Sequence, residues 1–106
     1  MISRSLMLTN ITGTGAVSEG IELMDGTAVS LYVGSRAGVS SGAVQLEEAP
    51  SKQSTSWVAV GTPLTVPAAL AMAVQRPTAP AAYGALRARV STTIVGGVID
   101  VWIVAG

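Results

Sequence analysis

Short runs rich in Val, Ile, Leu and Thr recur along the chain, separated by Gly, Ser, Pro and Asn at spacings of about 8 to 12 residues. That rhythm predicts an all-β chain: a single-domain antiparallel β-sandwich, jelly-roll-like, of about eight short strands. In residues 28–33, Val29, Leu31 and Val33 share one face while Ser30 and Tyr32 share the other, the signature of a half-buried strand. Residues 42–47 put Val44 and Leu46 inward with Gln45 and Glu47 outward. Residues 57–60 continue that strand antiparallel across the loop 48–56, where Pro50 has no ladder bond to lose.

Two segments need more argument. Residues 67–74 are rich in Ala, Leu and Met, which favour helix, and Pro67 is allowed in a first helical turn. Leu70, Met72 and Val74 also alternate at period two, and Pro63, Pro77 and Pro80 leave only a short segment, so an extended strand is expected. At the end of the chain, Gly96-Gly97 reads as the primed two-residue turn of a hairpin. Val95 then faces Val98, Ile94 faces Ile99, Thr92 faces Val101 and Val90 faces Ile103. One face carries Leu86, Ala88, Val90, Thr92, Ile94, Ile99, Val101 and Ile103 and is core. The other carries Arg87, Arg89, Ser91, Thr93, Val95, Val98, Asp100, Trp102 and Val104, with Arg89 diagonal to Trp102. This second face is either an ordinary surface on which an arginine stem covers an indole, or a subunit interface, since Trp and Arg are enriched at hot spots.

Composition sharpens the choice. Of 106 residues 49% are hydrophobic and only 11% charged, against about 25% charged in typical soluble domains. Too few ionic side chains remain to cover an isolated sphere, so part of the exterior is expected to be covered by neighbours. Six Lys and Arg balance six Asp and Glu; a zero net charge lacks the electrostatic footprint of a nucleic-acid or anionic-membrane binder and favours association. No repeat, linker or charge run divides residues 1–106. Residues 1–10 lack the apolar stretch and cleavage site of a signal peptide and read as mature sequence. The uncharged window 57–75 is broken by Gly61, Pro63 and Pro67, a poor membrane span.

Candidate chemistry is sparse. Without Cys or His the chain has no disulfide, no thiolate zinc site and no imidazole base, so no enzyme, metal or cofactor is expected. Gly13-Thr14-Gly15-Ala16 lacks the third glycine, helix and Lys of a phosphate loop and reads as a turn. Gly34-Ser35-Arg36-Ala37-Gly38 is not a nucleophile elbow, for want of a central Ser and a His. Glu19, Glu22, Asp25, Glu47 and Glu48 match no defined metal loop and read as solvated rim charges. Asn10-Ile11-Thr12 satisfies a glycosylation sequon.

The order of features has a counterpart. Residues 10–16, the strand 29–33, the pair 42–47 and 56–61, then 86–91 and 96–103 resemble small β-sandwich virion proteins of tailed bacteriophages, of the head decoration type. The loop 48–55 departs from that family's pattern in lacking Gly, Asn and Asp. The resemblance implies a symmetric homo-oligomer, a trimer, bound to the major capsid protein on the outer surface of the phage head and made in the host bacterial cytoplasm. Expected contacts are Arg87, Arg89, Trp102 and Val104 on the last hairpin, with Ile2, Leu6, Met7 and Leu8 in an N-terminal arm of about residues 1–12. That arm either adds to a neighbour's sheet edge or forms the first strand of its own sandwich. A neck or tail component is a related reading. A carbohydrate-binding module using Trp57, Tyr32, Tyr83 or Trp102 is a rival from another class.

Overall fold

Alternation of apolar and polar positions becomes strand wherever one face can be buried. The computed structural model describes residues 3–11, 21–22, 29–51, 53–76 and 84–105, with the backbone alone for 3–11, 21–22 and 105. The strands are β1 (Ser3–Ile11), β2 (Ile21–Glu22), β3 (Val29–Ser35), β4 (Ser41–Ala49), β5 (Val58–Thr65), β6 (Met72–Gln75), β7 (Ala85–Val95) and β8 (Ile99–Ala105). They form two antiparallel sheets, a first of order β1-β8-β3-β6 and a second of order β2-β7-β4-β5. There is no helix among the described residues. Leu31, Val33, Ile99, Val101 and Ile103 from the first sheet meet Val44, Leu46, Leu86, Ala88, Val90 and Ile94 from the second in one core.

Several expectations hold at residue level. In β3, Leu31 and Val33 are fully buried and Tyr32 is not. β5 returns antiparallel to β4, with Glu48 opposite Val58 and Leu46 opposite Val60. β1 pairs with β8 of the same chain, so Leu6, Met7 and Leu8 belong to an ordinary first strand and not to an arm laid on a neighbour. Ile2 lies outside the described residues.

The terminal hairpin is corrected. β7 and β8 stand in different sheets and share no ladder. The inward faces are nevertheless as expected, because Leu86, Ala88, Val90 and Ile94 face Ile99, Val101 and Ile103 across the core. A hairpin and a sheet-crossing corner bury the same alternate residues; only the corner lets the two apolar faces cover each other. The carbonyls that would close the turn are taken by the neighbouring corner between β3 and β4. Ser40 N–H donates to Val95 O at 2.9 Å, and Arg36 N–H donates to Val98 O at 3.1 Å.

Thr92 is the one expected core residue that the structure exposes, and bulges are the reason. From Ser41 to Ala43 to Val44, β4 advances two residues and then one, while β7 runs Val95 to Thr92 to Val90, three and then two. Each step inserts one extra residue in β7. The first insertion turns Thr92 outward, and the pair of them restores the phase, so Ile94 and Val90 both point in. Gly42 stands opposite, at φ 143°, where a Cβ would overlap Ile94 Cδ1.

The segment 67–74 is strand only at its end. β6 covers Met72–Gln75 and pairs with β3; the residues before it carry the chain from one sheet to the other. The Ser35 hydroxyl, at the end of β3, intercepts their backbone, donating to Ala68 O at 2.8 Å with Ala71 O at 3.2 Å, and accepting from Ala71 N–H at 3.1 Å. Ser35 is thus a structural bracket.

The two corners touch through bare backbone. Gly38 and Gly96 both have φ 90°, and a Cβ at Gly96 would overlap the Gly38 carbonyl oxygen. Gly61, at φ 69°, has nothing within 4 Å of its Cβ position. Gly61→Ala is therefore expected to cost about 1 kcal/mol, the backbone penalty alone. Gly96→Ala should cost at least about 3 kcal/mol, because strain and overlap add. Urea unfolding midpoints of the two variants check the difference.

Candidate interaction surfaces

With the apolar faces turned inward, each sheet presents one exterior, and the two differ in chemistry. On the second sheet, β4 and β7 run side by side with Glu47 opposite Arg87 and Gln45 opposite Arg89. Arg87 Nε donates to Glu47 Oε1 at 2.8 Å, and Arg89 Nε donates to Glu47 Oε2 at 3.0 Å. The Glu47 side chain is only 8% exposed, against 23% for Arg87 and 36% for Arg89. The stretch after β4 roofs this cluster: Arg87 lies 4.6 Å from the Trp57 ring centroid, and the Trp57 indole N–H donates to Ser54 O at 2.8 Å. Gln45 is buried beside it, its amide donating to Leu46 O at 2.7 Å and Val60 O at 3.1 Å.

Glu47 is therefore not a solvated rim charge, as its place near a strand end suggested. The cause is tertiary: a carboxylate removed from water must find donors, and the neighbouring strand supplies two. The reading of Glu19 and Asp25 falls outside the described residues. Tyr83 does as well.

Among the described side chains, the middle of the first sheet's exterior is apolar. Trp102, Tyr32 and Val74 stand in one cross-strand row, and Asp100, Gly34 and Met72 in the next. A Cβ at Gly34 would come within 3.2 Å of Trp102 Cζ3 and 3.3 Å of Met72 Cε, so indole and thioether meet above bare backbone. Met72 is 57% exposed, Val74 41% and the adjoining Leu70 81%. The charges here are few among the described side chains. Arg36 grips Asp100 through Nε at 2.9 Å and Nη2 at 3.0 Å. The hydrogen bond to Asp100, and after it the charge of that carboxylate, hold the Arg36 guanidinium above its ordinary range. Arg76 Nη2 donates to the Tyr32 hydroxyl at 3.3 Å.

The four contact candidates of the last two strands are consequently divided. Arg87 and Arg89 lie on the second sheet, Trp102 and Val104 on the first, with the core between them. Arg89 is not diagonal to Trp102, because β7 and β8 are not ladder partners. An Arg–Trp contact does exist, between Arg87 and Trp57. Met72, Val74 and Leu70 were missed as surface residues. The signal available was their period-two alternation beside β-type neighbours, but nothing local says which face of such a strand is covered.

Comparison with protein-family models, with curated proteins and with solved structures returns no match. The surfaces therefore rest on their own geometry.

Glu47→Ala leaves two partly buried guanidinium groups without their acceptor and is expected to destabilise by about 2 kcal/mol, less than for a fully buried pair because both arginines reach water. Asp100→Asn, at a more exposed pair, should change stability less. Thermal unfolding of both variants at one pH checks the ranking.

Proposed function

We propose that the chain is a structural virion protein of a tailed bacteriophage, a capsid decoration protein that binds the major capsid shell as a symmetric homo-oligomer. The observation that carries this reading is the exterior of the first sheet, where, among the described side chains, Trp102, Tyr32, Met72 and Val74 form an apolar surface with the Arg36–Asp100 pair and Arg76 at its rim. Contiguous apolar surface of this kind marks a contact site, and a low-charge domain is soluble most readily when that surface is covered. The strand orders β1-β8-β3-β6 and β2-β7-β4-β5 follow two Greek keys and support reading the fold as a jelly-roll β-sandwich. Jelly rolls occur in viral capsid domains, an argument from architecture alone. The sequence resemblance to head decoration proteins points the same way. In this role each copy adds buried area between shell subunits, and repetition over the shell converts modest contacts into avidity; no catalytic step is involved.

One observation favours a second reading. Tyr32 and Trp102 are direct cross-strand neighbours on an outer face, an arrangement on which a sugar ring could stack.

Purified protein is expected to bind preformed phage heads at a fixed stoichiometry and to raise their resistance to heat and osmotic shock. Trp102→Ala should weaken that binding at least about tenfold while leaving the protein folded. Binding to neck or tail assemblies in place of heads would assign it there, and signal on a glycan array without head binding would favour the sugar module.

A further inference from the structure

Three observations converge on residues 70–75. Leu70 has φ 62°, a left-handed backbone that a leucine adopts only at a cost, yet its side chain is 81% exposed. The conformation is held from outside: Leu70 N–H donates to Ser35 O at 3.2 Å, Ala69 N–H to Val39 O at 2.9 Å, and Ser35 N–H to Ala71 O at 2.9 Å. Next, Met72 and Val74 are exposed apolar side chains on the strand that follows. Finally, β6 ends its sheet. Since Ser35 bonds Ala71, antiparallel alternation turns Ala73 and Gln75 toward β3 and leaves the N–H and C=O groups of Met72 and Val74 pointing away from it.

The other sheet edges are blunted in the ways that prevent pairing between molecules. β1 has two register shifts. β5 carries Gly61 and Pro63 within an irregularity, where the single β4 residue between Val44 and Leu46 stands against three of β5 between Leu64 and Val60. β2 has two residues. β6 has no bulge, proline or charge along its length.

We propose that β6 is a homotypic docking edge, paired antiparallel with β6 of a second copy about a twofold axis. The register that uses both outward-bonding residues of each copy within β6 sets Met72 opposite Val74 of the second copy, Val74 opposite its Met72, and Ala73 opposite Ala73 on the axis. The occupant is a second copy because the two residues that this register brings face to face, Met72 and Val74, are exposed and apolar on each strand. The pairing joins apolar to apolar on the exposed face and keeps the two Arg76 charges at opposite ends of the ladder. A partner strand with ionic side chains would find no counter-charge along β6 itself, only Arg76 just past its end, and the chain as a whole has formal charge zero. Pairing makes one continuous sheet, β1-β8-β3-β6 followed by the same strands reversed, and merges the two apolar exteriors. The inference rests on strand geometry and holds whether or not the protein belongs to a virion.

Sedimentation of the full chain over a concentration series should show a reversible monomer–dimer equilibrium. Val74→Lys, at an exposed side chain that the fold does not need, should raise the dissociation constant at least about tenfold with the unfolding temperature nearly unchanged. Because the chain has no cysteine, Ala73→Cys supplies a single thiol. On the axis, two residues 73 in a non-hydrogen-bonded pair sit about 4.5 Å apart at Cα, within disulfide reach. Mild oxidation should therefore give a covalent dimer, while Val58→Cys on the β5 edge should not. A monomer at every concentration, an oligomer unaffected by Val74→Lys, or a failure of Ala73→Cys to cross-link would each overturn the proposal.

Discussion

The fold depends on the crossing of the chain from one sheet to the other at residues 96–98. If those residues closed a hairpin, β7 and β8 would lie side by side and their shared apolar face would need a separate cover. Crossing instead makes each strand the cover of the other, and β7 and β8 become interior strands of their respective sheets. The crossing is possible because two glycines at φ 90°, Gly38 and Gly96, let the β3–β4 and β7–β8 corners approach backbone to backbone. Side chains at either position would hold the corners apart, and with them the two sheets.

The alternation of single strands was legible in the residues because it is local. Leu31 and Val33 against Tyr32, or Val44 and Leu46 against Gln45, need only the period-two geometry of an extended chain. Strand neighbours were legible for β4 and β5, joined by one loop, but not for β7 and β8, since Leu86, Ala88 and Val90 are buried alike in a hairpin and in a crossed pair. The same gap explains Glu47. Its outward phase was correct, but its burial arises from Arg87 and Arg89 on a strand forty residues later and from Trp57 above them. Residues 67–71 defeat periodicity for another reason: hydrogen bonds from Ser35 and Val39 impose a conformation that the Ala-rich stretch would not choose.

The two exteriors divide the labour of a low-charge surface. On the second sheet one cluster of polar groups satisfies itself, although the buried Ser91 hydroxyl on β7 has no partner: Glu47 accepts from two arginines, Arg87 is stacked on an indole, and Gln45 donates to carbonyls of β4 and of the irregular β5 edge. A cluster so complete holds the stretch after β4 against its sheet, and a partner docking there would have to compete with bonds already made. The first sheet is the reverse. Its strongest polar contact, Arg36 with Asp100, sits at the corner and leaves the middle of the face to Trp102, Tyr32, Met72 and Val74. Interaction is thus more readily accommodated on the first sheet, opposite to Arg87 and Arg89.

The scarcity of charge follows the same logic. Of twelve ionic residues, six basic and six acidic, seven have described side chains, and five of those seven are committed to one another: Arg36 with Asp100, and Arg87 and Arg89 with Glu47. Charges tied in pairs do little to keep molecules apart, so the exterior is poorer in repulsion than the composition alone suggests. An edge such as β5 can be made safe by a proline and an irregular register, without any charge. β6 has neither device, and Leu70 is held beside it against its backbone preference. Strain that the surroundings maintain, in a side chain that the core does not use, is best understood as serving a contact outside the molecule.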